Sequence, residues 1–116
     1  LVAWLDSPSA LMPVRDEFLV KVHSFGRLPP ERAIARLRDH RRLHEERLAT
    51  YRLIESRLKE AGWVSEARVA DALVGRYLTL KRGITYEEHV LAWCDWAIGL
   101  LESRLRGGSA TPAPSP

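Results

Sequence analysis

The chain has 116 residues, of which 46% are hydrophobic and 28% are charged, and its formal net charge at pH 7 is +3. This composition predicts one soluble globular domain without a membrane partner, because no apolar run reaches the roughly 18 residues that a bilayer span requires. The single cysteine excludes an intramolecular disulfide framework and is typical of a cytoplasmic protein. Basic and acidic residues alternate, which favours a solvated helix surface over a nucleic-acid site.

The first predicted helix spans residues 13–25, with Pro13 in its first turn and Gly26 in the left-handed position after its last turn. Its apolar side chains fall on one helical stripe: Val14, Phe18, Val22 and Phe25. The segment "RLPPE" then separates it from a second helix, which is predicted from Pro30 to Ala61 and ends at Gly62. The other faces of this second helix alternate arginine with glutamate, as expected for a long exposed helix.

A third helix is predicted from an N-cap at Ser65 to Arg106. Within it, alternating steps of four and three residues define a heptad seam whose one polar member is Glu87. A second apolar row widens this face: Tyr86, Val90, Trp93, Ala97 and Leu100. Because so wide an apolar face needs a partner, we predict that the apolar seam residues form the contact with a second copy: Leu73, Tyr77, Leu80, Ile84, Leu91, Cys94, Ile98, Leu101 and Leu105.

These patterns predict an all-α fold of three helices, one short and two long, that forms an intertwined or coiled-coil-like homodimer. Residues 1–8 are interpreted as a linker from an N-terminal domain, residues 9–106 as the helical dimerisation domain, and residues 107–116 as a disordered tail rich in proline and small residues. The glycines at 75, 83 and 99 each weaken the last helix, and glycine in a helix is tolerated where another backbone comes close.

The sequence offers little catalytic or metal-binding chemistry. His40 and His44 have a metal-compatible spacing on one helix face, but neighbouring arginines would repel a cation, so partly buried histidines are the favoured interpretation. Glu87, Glu88 and His89 are interpreted as a polar interruption of the helix rather than as an acid–base group. We therefore predict no enzyme activity, no cofactor and no metal site.

The sequence allows two roles for Cys94 and two roles for the tryptophan residues. Cys94 is either a small buried hydrophobic residue, which is favoured, or one half of a disulfide across a twofold axis. The tryptophan face is either interface packing, which is favoured, or a pocket for a planar apolar ligand. The candidate ligand-lining residues are Tyr86, Val90, Trp93 and Trp96.

The segment "LTLKRGITYEEHVLAWCDWAIGLLE" resembles the final helix of the PadR family, the phenolic-acid-decarboxylase regulators. The matching residues are Leu80, Arg82, Gly83, Ile84, Tyr86, Trp93 and Asp95. Upstream, "RDEFLVKV" and "LPPERAIARLRDHRRLHEERL" are similar to the preceding helices of that family, and "WLDSP" resembles the point where its chain leaves the DNA-binding domain. The resemblance covers about residues 4 to 105.

The resemblance implies the C-terminal domain of a bacterial transcriptional regulator, most often a repressor. In that family this domain dimerises and can respond to a small aromatic effector, while an N-terminal winged helix binds DNA. No winged helix is found within this sequence, so we expect DNA contact only through such a domain in the full-length protein. The alternative is a free-standing helical scaffold or small-molecule-binding protein without DNA-binding activity.

Overall fold

The protein is an antiparallel pair of long helices with two short helices before it, as seen in a computed structural model that describes residues 1–13 and 15–107. The four helices are α1 (Val2–Leu5), α2 (Glu17–His23), α3 (Pro30–Glu60) and α4 (Val74–Gly107). Two single 3₁₀ turns, Phe25–Arg27 and Asp71–Leu73, precede the long helices. The predicted all-α class is confirmed.

Helix α3 has the ends that its sequence predicts. Pro30 occupies the first turn, where its missing N–H costs no hydrogen bond. At the other end, Gly62 has a φ of +78°, and the N–H groups of Gly62 and Trp63 donate to the carbonyls of Lys59 and Leu58. This is a Schellman motif, which requires a left-handed residue after the helix and so favours glycine there.

The other two predicted helices are shorter than expected. The first helix was predicted over residues 13–25, but α2 covers only Glu17–His23, and Gly26 lies in the following 3₁₀ turn without a positive φ. Asp16 caps α2, since its side chain accepts a hydrogen bond from the N–H of Phe18. Of the tail predicted over residues 107–116, Gly107 is the last residue of α4, and residues 108–116 lie outside the described residues, as Val14 does.

The predicted start of the last helix at Ser65 is wrong, because residues 61–70 form a small turn instead. The N–H of Ser65 donates to the carbonyl of Arg68, and Val64 and Val69 form an isolated antiparallel bridge. Val64 is buried by this turn. The backbone groups that a helix would have used are therefore already paired, and α4 begins only at Val74.

The main core lies between the first half of α3 and the second half of α4. Ile34 and Leu37 of α3 pack there against Ala97 and Ile98 of α4. Half-buried residues from both ends of the chain close this cluster: Phe18, Phe25, Trp93 and Leu101. Phe18 thereby fixes the short helix α2 to the hairpin of α3 and α4.

Candidate functional site

The heptad seam of α4 packs against α3 of the same chain. Ile84, Cys94 and Ile98 are buried there, and Leu73, Tyr77, Leu80, Leu91 and Leu101 are half-buried, whereas Leu105 is exposed. The periodicity therefore correctly marked the buried face of the helix, and α3 covers most of it. The prediction that these residues contact a second copy is not tested by a single chain and stays a prediction.

A different apolar surface of α4 remains open, and we call it the tryptophan row: Tyr86, Val90, Trp93, Trp96 and Leu100. Trp96 is 63% exposed and Leu100 is 50% exposed, while Val90 and Trp93 are half-buried. The row runs along about 21 Å of the helix, from the rise of 1.5 Å per residue. Exposed apolar side chains grouped on one helix surface, among them an indole ring, are the kind of patch that marks an interaction site.

Part of the tryptophan row lines a small cavity of about 340 Å³. Tyr86, Val90 and Trp93 form one wall, and His40 of α3 and Leu19 of α2 face them. Trp96 does not line this cavity. Three of the four predicted ligand-lining residues thus lie together, and the volume lies at the lower limit for a small-molecule site.

A buried carboxylate lies between the long helices, at the one polar position of the seam. Glu87 is 1% exposed, and its carboxylate is bound by Nδ1 of His44 and lies 3.6 Å from the guanidinium of Arg47. Every buried side-chain nitrogen or oxygen of the described residues has a hydrogen-bond partner. Glu88 instead pairs with Arg52 on the surface.

Further ion pairs join α3 to α4 on both sides of this carboxylate. Arg38 binds Glu102 at 3.3 Å, and Arg41 binds Asp95 through two hydrogen bonds. Near the turn, Lys81 and the hydroxyl of Tyr77 both donate to Glu55 at 2.8 Å. The hydrogen bond from Lys81 holds the pKa of the Glu55 carboxyl below its usual value and raises the pKa of Lys81.

Residues 14–102 match the family model described as the virulence activator alpha C-terminal domain. The chain belongs to this family. The match includes all of α2 and α3 and most of α4, and therefore every site residue discussed above except Leu105 of the seam. No curated protein and no solved structure gives a significant match to the chain. This virulence activator alpha C-terminal domain is thus a helical, regulator-type C-terminal domain, and no helix in its described residues is long and apolar enough to cross a bilayer.

The single cysteine of the domain is enclosed by its own chain. Cys94 has no exposed surface, and burial raises the pKa of its thiol. In this structure its side chain behaves as a small hydrophobic residue of the seam. The interpretation as half of an intermolecular disulfide would require the hairpin to open.

The buried Glu87 and the ion pairs of the domain were missed by sequence reasoning. One signal was available, since His44 falls in helical register with Leu37, Leu48 and Tyr51 on one stripe of α3, and Glu87 is the polar member of the α4 seam. A polar residue on each of two facing apolar stripes is a sign of a buried pair. The partners of the surface ion pairs depend on the register of the two helices, which the sequence does not reveal.

The space for a side chain at Gly83 is limited by another side chain, not by a close backbone. A Cβ atom there would lie 2.9 Å from Cε2 of Tyr51, whereas a Cβ at Gly99 would meet nothing within 4 Å. We predict that Gly99→Ala raises the free energy of unfolding by about 1 kcal/mol, as helix propensity requires. Gly83→Ala should raise the free energy of unfolding by less than this, or lower it. In a Tyr51→Leu background it should raise the free energy of unfolding by the full amount, as measured by denaturant unfolding. Equal gains at both glycines would contradict this account of Gly83.

His40 gives the domain a pH-dependent contact between α2 and α3. Its ring stacks on Phe18 with 3.7 Å between centroids, and burial together with the neighbouring His44 lowers the pKa of His40. Because the folded pKa lies below the unfolded one, the unfolded chain binds the proton more readily, and stability falls as pH drops through the usual histidine range near 6.5.

We therefore predict that the fall in melting temperature between neutral pH and about pH 5 is smaller for His40→Phe than for the wild type. His23→Phe, at an exposed position in the last turn of α2, is the matched control and should behave as the wild type does. The same pH profile for wild type and His40→Phe would show that this histidine contributes nothing to the pH dependence.

Proposed function

We propose that this chain is the dimerisation and effector-sensing domain of a bacterial PadR-like transcriptional repressor in the cytoplasm. In this proposal DNA is bound by a winged helix N-terminal to the chain, and the domain itself carries out no catalysis. The family match over residues 14–102 supports a regulator-type C-terminal domain. The main support for dimerisation is the tryptophan row, an apolar surface that α3 does not cover.

A second copy is the partner that this surface suits best. Two rows related by a twofold axis present the same residues to each other, so one apolar surface is sufficient for a closed dimer. Trp96 would lie near the centre of such a contact, where large aromatic side chains contribute most of the binding free energy. The half-buried seam residues next to the row, such as Leu101, would extend the contact.

The dimer would set the distance between two DNA-binding domains. Half-sites on DNA are separated by whole helical turns, so the angle between two hairpins selects the operators that fit. A planar apolar effector in the cavity at Trp93 would favour one arrangement of the hairpins and shift the population towards it. The cavity touches α2 through Leu19, so it lies next to the segment that leads towards the N-terminus.

The proposed dimer is tested by the double variant Trp96→Ser and Leu100→Ser. Both residues are exposed, so their removal should leave helix content and melting behaviour of the isolated hairpin intact. We expect self-association, measured by sedimentation equilibrium, to weaken at least about thirtyfold, which corresponds to roughly 2 kcal/mol for a central aromatic contact.

The matched control is Leu53→Ser, because Leu53 is an equally exposed leucine on α3, outside the tryptophan row. This control should sediment as the wild type does. A wild-type chain that remains monomeric at high micromolar concentration would refute the dimer. So would a double variant that associates as strongly as the wild type.

A further inference from the structure

A second concave surface lies apart from the tryptophan row, between α2, the 3₁₀ turn that follows it and α3. This groove has a volume of about 600 Å³, within the range of small-molecule sites. Its apolar wall is formed by Phe18, Phe25, Leu28 and Leu43. Leu43, in the middle of α3, is 65% exposed.

The aromatic rings in this wall are already engaged with each other. Phe18 is stacked on His40, and its ring meets the ring of Phe25 edge-on, with centroids 5.8 Å apart at 88°. One face of the Phe18 ring is therefore covered by an imidazole, so a planar ligand cannot be sandwiched between the phenyl rings. Methylene groups, which need only apolar contact without a particular ring geometry, suit such a wall better.

The rim of the groove is basic. Lys21, Arg27, Arg32 and Arg36 line it, against one acidic side chain, Asp39. Arg36 binds Asp39 at 3.1 Å, and Arg42, outside the groove, lies 3.9 Å from the same carboxylate. Within the described residues, Arg27 and Arg32 have no acidic side chain within 4.0 Å. Two guanidinium groups beside an apolar wall are thus available to an anion.

We propose that this groove binds a single-chain amphipathic anion, with its alkyl chain on the phenylalanine and leucine wall and its head group at Arg27 and Arg32. Carboxylate and phosphate heads share the required charge and the bidentate geometry that a guanidinium prefers. The groove is distinct from the cavity at Trp93, although His40 lines both. The occupant is therefore not the planar effector of the proposed function.

Charge argues against a second copy of the chain as the occupant. Lys21 is paired with Glu17 at 3.6 Å and Arg36 with Asp39. If two such grooves faced each other across a twofold axis, the unpaired Arg27 and Arg32 of one would therefore oppose the same two arginines of the other. Like charges brought together at an interface weaken association. A neutral apolar ligand would satisfy the wall but would leave the unpaired guanidinium groups without a counter-charge.

The proposal is tested by titrating the chain with decanoate, below its micelle concentration, while binding heat and melting temperature are recorded. We expect saturable binding with a rise in melting temperature, and at least about tenfold weaker binding of decanol, which has the tail without the charge. Butyrate, which has the charge with a shorter tail, should also bind at least about tenfold more weakly. Decyl phosphate distinguishes the head groups, since tighter binding than decanoate assigns the site to phosphate and weaker binding assigns it to carboxylate.

Two variants and their controls locate the binding. Arg27→Gln with Arg32→Gln, and separately Leu43→Asn, should each weaken decanoate binding about tenfold or more. Arg57→Gln and Leu53→Asn make the same exchanges at exposed positions of α3 outside the groove and should bind as the wild type does. Equal affinities for decanoate and decanol, equal losses in the controls, or a change of oligomeric state in Leu43→Asn without any decanoate binding would each overturn the proposal. The proposed dimer would survive these failures, because its test uses Trp96 and Leu100.

Discussion

Replacing His44 by leucine should lower the free energy of unfolding by about 3–5 kcal/mol, the usual cost of removing one partner of a buried pair. His44 binds the carboxylate of Glu87, which has almost no contact with water. The other cation near this carboxylate, Arg47, is exposed and lies 3.6 Å away. The variant therefore leaves a buried charge with too few hydrogen-bond donors, while leucine fills the space of the imidazole.

The double variant His44→Leu with Glu87→Leu should recover most of this loss, because a buried apolar pair of similar volume has no charge to desolvate. Arg52→Leu is the control, since it breaks the exposed pair with Glu88 and should cost less than about 1 kcal/mol. Urea unfolding followed by circular dichroism, at one fixed protein concentration, gives the free energy of unfolding of the wild type and of these three variants. If the double variant is as unstable as the single one, the charge on Glu87 is not the cause.

Leu37→Ala should lower the free energy of unfolding by about 2–5 kcal/mol, the range measured for buried leucines. Leu37 is 1% exposed and packs in the cluster with Ile98 that joins the two long helices. Removing its isobutyl group loses apolar contact and leaves a cavity that rigid neighbouring helices do not fill.

Leu53→Ala is the matched control for this substitution. Leu53 lies on the same helix and is 51% exposed, so the exchange should change stability by less than about 1 kcal/mol. Both variants are compared by their midpoints in urea and by thermal melting. Similar losses at the two positions would mean that Leu53 is covered in solution, for example by a second copy, and that the core assignment needs revision.

The sequence predicted α3 to within one residue at its end because both ends carry strong local signals. Proline fixes the first turn, and Gly62 supplies the positive φ of the Schellman motif. The start of α4 was missed because Ser65 followed by Glu66 has the composition of a cap. Two hydrogen bonds decide otherwise, from the N–H of Ala70 to the carbonyl of Trp63 and from the N–H of Ser65 to the carbonyl of Arg68, and composition does not show such pairings.

The heptad seam illustrates a different limit of sequence reasoning. Periodicity identifies which residues of α4 are buried, but it contains no information about which helix covers them. The seam was assigned to a second copy, whereas α3 of the same chain already covers Cys94 and Ile98. The basic groove was not predicted, because it depends on how α2 and the 3₁₀ turn at Phe25–Arg27 lie against α3, and a helical pattern over residues 13–25 does not show that arrangement.

The polar contacts between the long helices prevent α4 from sliding along α3. A shift by four residues, about 6 Å, would carry Glu87 away from His44 and leave a carboxylate buried without its partner. It would also place Arg38 opposite Arg106 or Ile98 instead of Glu102. Sliding of one long helix along the other is therefore disfavoured in this domain. We thus expect α3 and α4 to move together as one rigid hairpin.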